Sequence, residues 1–163
     1  MASSTLDMPE LTLQGNSIDA VGFMADCTPL LGDRAALLQQ MQTNGYVYLP
    51  GYLGRDRVTA ARKVFIDAIA KTGVLHPDFD PMDGILRDGA KAAGFAGGRL
   101  EKLFPHNWQA IHDVLYTGPM MAFFRVLFGG VDVLHYDFTW TRQVNPGPAT
   151  PLHSDVEIGR AHV

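Results

Sequence analysis

Val131–Val156 reads VDVLHYDFTWTRQVNPGPATPLHSDV, and this stretch decides the fold. From Val131 to Val144 it alternates and is dense in β-branched and aromatic residues. That predicts a strand of about ten residues or more, longer than the usual five or six. Phe138 and Trp140 fall on one face of such a strand and are expected to pack against helices, because large aromatics dominate core energetics. NPGPATP (145–151) is rich in turn residues, and LHSDV then opens a further short β-like segment.

The chemistry sits in that last segment, at His153-Ser154-Asp155. In a strand, residues two apart point to the same face, so an imidazole nitrogen and a carboxylate oxygen can reach one metal ion together. A second histidine from a distant strand would complete the facial triad of non-haem iron(II) oxygenases, leaving adjacent positions open. Imidazole and carboxylate are borderline-to-hard donors that hold iron(II) without saturating it. Alone, His-x-Asp is a weak signal, and a surface His–Asp pair at a strand end would look the same.

Upstream the chain reads as helical. Asp33 can cap a helix through Ala35, Leu37, Leu38 and Met41, with Gly45 as its stop. GYVYLPG (45–51) predicts a short strand. Arg55 to Thr72 is the clearest helix, with Val58, Ala61, Phe65, Ala68, Ile69 and Thr72 on one stripe and Gly73 at its end. Val74 to Gly98 reads as a long surface excursion of the kind often used as a binding loop or lid. Trp108, Ile111, His112 and Leu115 suggest another helix, and Pro119 opens one through Phe128 that Gly129-Gly130 ends. Its MMAFF run (120–124) is expected to be a buried helix face. Helices followed by β structure make the fold class α+β.

Composition narrows the function classes. The chain has 163 residues, 47% hydrophobic and 18% charged, which suits one globular domain and argues against disorder. A net charge of -4 with no basic run gives no footprint for nucleic acid or an anionic membrane. The single cysteine, Cys27, excludes a disulfide framework within this chain. There is no basic start with an apolar core at the N-terminus, so a cytoplasmic protein acting on a small molecule is expected.

HYDFTWTRQVNPGPATPLHSDV resembles the segment that delivers the first histidine and the aspartate in phytanoyl-CoA-dioxygenase-like proteins. Upstream, a helix followed by GYVYLPGYLGRDRV resembles the opening of the same family. The similarity spans roughly Asp33 to Val156, with 74–98 matched least. It implies a double-stranded β-helix (jelly-roll) core with flanking helices, here truncated, and an iron(II)/2-oxoglutarate-dependent dioxygenase hydroxylating a small organic or acyl-type substrate. His153 and Asp155 become iron ligands, and Gln143 with Thr141 become candidates for assisting 2-oxoglutarate. The family's second histidine and its 2-oxoglutarate-binding arginine would lie further on, so the chain by itself is expected to be inactive. His162, seven residues past Asp155, cannot replace that histidine. His135 is expected to be structural or solvent-facing. The alternative reading is a metal-free binding or structural domain in which His153 and Asp155 close a turn.

Residues 1–16 are expected to be a loose leader and 17–156 the N-terminal part of one dioxygenase domain. Within the closing EIGRAHV, residues 158–163 read back into DNA as ATC-GGA-AGA-GCA-CAC-GTC followed by the stop TGA, the start of a common sequencing adapter, with Glu157 straddling the junction. Residues 157–163 are therefore expected to be a processing remnant.

Overall fold

A computed structural model describes Thr12–Leu13, Asn16–Ser17, residues 22–91 and residues 97–141. Thr12–Leu13 (β1) and Asn16–Ser17 (β2) pair antiparallel, with Thr12 opposite Ser17. This hairpin lies across the expected leader boundary. The described part of Ala25–Asn145 is a separate compact unit and carries everything that follows.

Local signals set its helices. Arg34–Asn44 (α1) starts where the Asp33 carboxylate accepts the Ala36 N–H at 3.0 Å and ends at Gly45, whose φ of 75° is one that an L side chain resists. Just before it, a 3-10 turn at Thr28–Leu30 is opened by Asp26, which accepts the Thr28 N–H at 2.8 Å. The Thr28 side chain, and then its N–H, hold the exposed Asp26 carboxyl below its ordinary pKa. Arg55–Ala70 (α2) has the predicted start and runs two residues short of the expected end.

The core gathers Ala61 and Val64 of α2 against Leu100, Phe104 and Ile111. Leu100 belongs to the short helix Leu100–Leu103 (α3) and Ile111 to Trp108–Tyr116 (α4). Phe65 and Phe104 meet edge to face with centroids 5.1 Å apart. Val58, placed on the α2 stripe by periodicity, is exposed, whereas Val64 and Ile66 are buried. The buried arc of α2 is wider than one stripe because a second neighbour covers it. The 74–90 segment folds back on itself through His76 N–H to the Ile85 carbonyl (2.8 Å) and Arg87 N–H to the Val74 carbonyl (2.9 Å). Arg62 then ties it to α2 by donating to the Met82 carbonyl at 2.7 Å.

Gly118–Leu127 (α5) follows α4. It packs on α4 and α1, and Arg34 donates to the Leu127 carbonyl at 2.9 Å, occupying one acceptor of the helix end. The MMAFF run departs from expectation: α5 has no fully buried residue, and its neighbours among the described residues cover only part of its circumference. No helix among the described residues is long and apolar enough to cross a membrane.

Two strand expectations are corrected. Of the predicted Val131–Val144 strand, the described part is paired only at Thr139–Trp140 (β4), antiparallel to Gly97–Gly98 (β3) with Gly97 opposite Trp140. A strand needs a ladder for its backbone groups, and among the described residues only those two glycines supply one. GYVYLPG makes a single parallel bridge, Tyr48 to Asp26, with Cys27 N–H donating to the Tyr48 carbonyl at 2.8 Å.

The orientation of β4 is also the reverse of expectation. Thr139 and Thr141 are buried, whereas Phe138 and Trp140 are exposed. The rings of Phe138 and Trp140 lie over Gly97, where a Cβ would collide with both. The absent side chain of Gly97 is what lets them settle on the outer side of the pair.

Candidate functional site

The inner face of β4 meets α4. Trp108, His112 and Tyr116 recur every four residues and so lie along one face of α4. Their rings are in contact: Trp108 and His112 edge to face at 5.4 Å, His112 and Tyr116 at 5.6 Å. Tyr116 makes two further contacts across the chain. Its hydroxyl lies 2.7 Å from Thr139 Oγ1, and its ring stacks on His135 with centroids 4.2 Å apart and planes 22° apart.

These contacts frame a cavity of about 280 Å³. Trp108, His112 and Tyr116 form one wall, and His135, Asp137 and Thr139 form the opposite one. Arg99, Leu100 and Glu101, at the start of α3, close an end. His135, Asp137 and Thr139 alternate along the chain and converge on one side, as an extended segment requires. The Asp137 carboxylate stands 3.7 Å from His135 Nδ1. The cavity thus combines an aromatic wall with a guanidinium, two carboxylates, two imidazoles and two hydroxyls. That mixture holds an apolar body while fixing its polar groups.

His135, expected to be structural or solvent-facing, stacks on Tyr116 and also lines this cavity. The same reasoning missed His112, although the spacing of Trp108, His112 and Tyr116 was the signal that could have found it. Of the residues assigned to iron or 2-oxoglutarate, Thr141 is described: it is buried two positions beyond Thr139, on the strand face that lines the cavity. Gln143, His153 and Asp155 lie outside the described residues. Among the described residues, no three His, Cys, Asp or Glu side chains are grouped to hold a metal ion.

The chain is 39% identical over 146 residues to a 1-deoxypentalenic acid 11-beta-hydroxylase of Streptomyces exfoliatus, covering 84% of this chain and 48% of that protein. It is 39% identical over 59 residues to a protein of the same name from Streptomyces arenae, covering 36% of this chain and 21% of that one. The chain thus spans about half the length, or less, of the curated relatives it matches. No family model matches it. No solved structure matches it.

Proposed function

We propose that this chain is part of a hydroxylase of the iron(II)/2-oxoglutarate type, related to the phytanoyl-CoA dioxygenases and built on a double-stranded β-helix. The observation that carries the reading is the 39% identity over 146 residues to a protein named as a hydroxylase, in a chain that contains the His153-x-Asp155 pair. The activity is assigned to a protein of the relatives' full length. The substrate is a small organic molecule, with carboxylic acids of the kind in the relatives' name the first to try.

In this reading His153 offers a neutral imidazole nitrogen and Asp155 a carboxylate oxygen to iron(II), alongside a third protein ligand from the rest of the protein. Bound iron, with 2-oxoglutarate and dioxygen, supplies the oxidation of a substrate C–H bond. The donor types suit that metal, and Thr141 and Gln143 are the residues this reading assigns to a polar group of the cosubstrate; the burial of Thr141, two positions beyond Thr139 of the cavity wall, supports its part. Trp108, His112 and Tyr116 present an aromatic wall that orients substrate.

The test is turnover of the full-length protein with 2-oxoglutarate and dioxygen across a panel of small carboxylic acids. The proposal expects succinate release that depends on added iron(II), together with gain of one oxygen atom by an acid. Product formation unaffected by omitting 2-oxoglutarate, or surviving an iron chelator, would overturn it.

A further inference from the structure

The cavity beside α4 is lined by charges of both signs that do not pair with each other. Arg99 occupies the position before α3, and Glu101 follows in its first turn. Residues two apart at a helix start do not face one another. Among the described residues, neither side chain has an ion-pair or hydrogen-bond partner. Both nonetheless line the same end of the cavity, beside the aromatic wall of Trp108, His112 and Tyr116. The other carboxylate of the lining, Asp137, already has the His135 imidazole 3.7 Å away. At about 280 Å³ the cavity lies just below the roughly 300–1,000 Å³ typical of sites for drug-sized ligands, so it suits a compact molecule.

Three features narrow the class of that molecule. A guanidinium calls for a carboxylate, which it can hold by two parallel hydrogen bonds. A free carboxylate calls for a cation, and neighbouring electron-rich rings favour one further. The aromatic wall calls for an apolar body. A simple acid would set its anion near Glu101 with nothing to neutralise that carboxylate, and a simple amine would do the same to Arg99. We propose that the cavity binds a free α-amino acid with an apolar side chain. Its carboxylate lies on Arg99, its ammonium on Glu101, and its side chain along Trp108, His112 and Tyr116. As a substrate class this rests on the oxygenase reading of the same site; as binding it does not.

Isothermal titration calorimetry of the full-length protein, without iron or 2-oxoglutarate, tests binding with two matched sets. One is L-leucine, isocaproate and isoamylamine; the other is L-phenylalanine, hydrocinnamate and phenethylamine. Within each set the hydrocarbon body is shared, the second compound lacks the ammonium and the third lacks the carboxylate. At least one amino acid is expected to bind roughly tenfold more tightly than either of its analogues, the scale of one charge-assisted hydrogen bond at a solvated site. Arg99→Gln should remove its advantage over the amine, and Glu101→Gln its advantage over the acid. Both side chains are exposed, so helical circular dichroism should be unchanged, and the wild-type series needs no variant. Failure of both amino acids to bind, or binding no tighter than that of the matched acid or amine, would overturn the proposal. Selective binding with no iron(II)-dependent succinate release would uphold the site and count against the oxygenase reading. Succinate release with another acid, and no amino-acid binding, would uphold that reading and overturn the amino-acid assignment.

Discussion

The Tyr116–Thr139 hydrogen bond joins α4 to β4, and its removal has a calculable effect. The two oxygens are 2.7 Å apart, Thr139 is buried, and the residues are 23 apart in sequence. Tyr116→Phe deletes one partner and leaves the Thr139 hydroxyl without this bond. Stranding a buried polar group costs about 1–3 kcal/mol, and partial burial of the bond favours the lower half of that range. Thr139→Val removes the other partner and leaves the phenol unpaired at similar cost. The double variant loses both groups together, so it should cost about as much as either single change. The resulting coupling is about 1 kcal/mol. The stack of ring 116 on His135, at 4.2 Å, is retained in Tyr116→Phe, which separates the hydrogen bond from the ring contact. Urea unfolding followed by tryptophan fluorescence suits the measurement, since Trp108 lies on α4 and Trp140 on β4. Effects of the two single changes that simply add in the double variant would refute the claim that this bond links the two elements.

Further outcomes follow from other contacts. Leu37 is fully buried, so Leu37→Ala should cost about 2–5 kcal/mol by lost transfer energy and the cavity left behind, measured in the same urea titration. Asp33→Ala removes the α1 cap and should cost about 1 kcal/mol, with Asp33→Asn largely neutral. Asp26 has a depressed pKa in the folded state, so its contribution is present above the unfolded value and is lost as pH falls through the folded one. An NMR titration should place its midpoint below that of an ordinary aspartate, and Thr28→Ala should move it back up. No change in Thr28→Ala would remove the assigned cause.

The helices were legible because their signals are local. Asp33, Gly45 and Pro119 act on neighbours within a turn or two, and the structure uses each near its expected place. What depends on distant partners was not legible. Alternation from Val131 onward fixes which side chains share a face, but it cannot say which face turns inward. The contact of Tyr116 with Thr139 and the space over Gly97 decide that, and both lie far away in sequence. The same holds for the length of β4, which is set by how much partner strand is present. The cavity was hidden for a related reason. His112 and His135 look isolated in sequence and meet only because Tyr116 touches both. For His153 and Asp155 the reading rests on the motif and on the relatives.

Anaerobic titration of the full-length protein with iron(II) and 2-oxoglutarate, beside its His153→Ala and Asp155→Ala variants, bears most directly on that reading. The account predicts a charge-transfer absorption that saturates in the wild type and disappears in both variants, while the helical circular dichroism is unchanged. The same absorption persisting in either variant would contradict it, as would its absence from the folded wild type at saturating iron and 2-oxoglutarate.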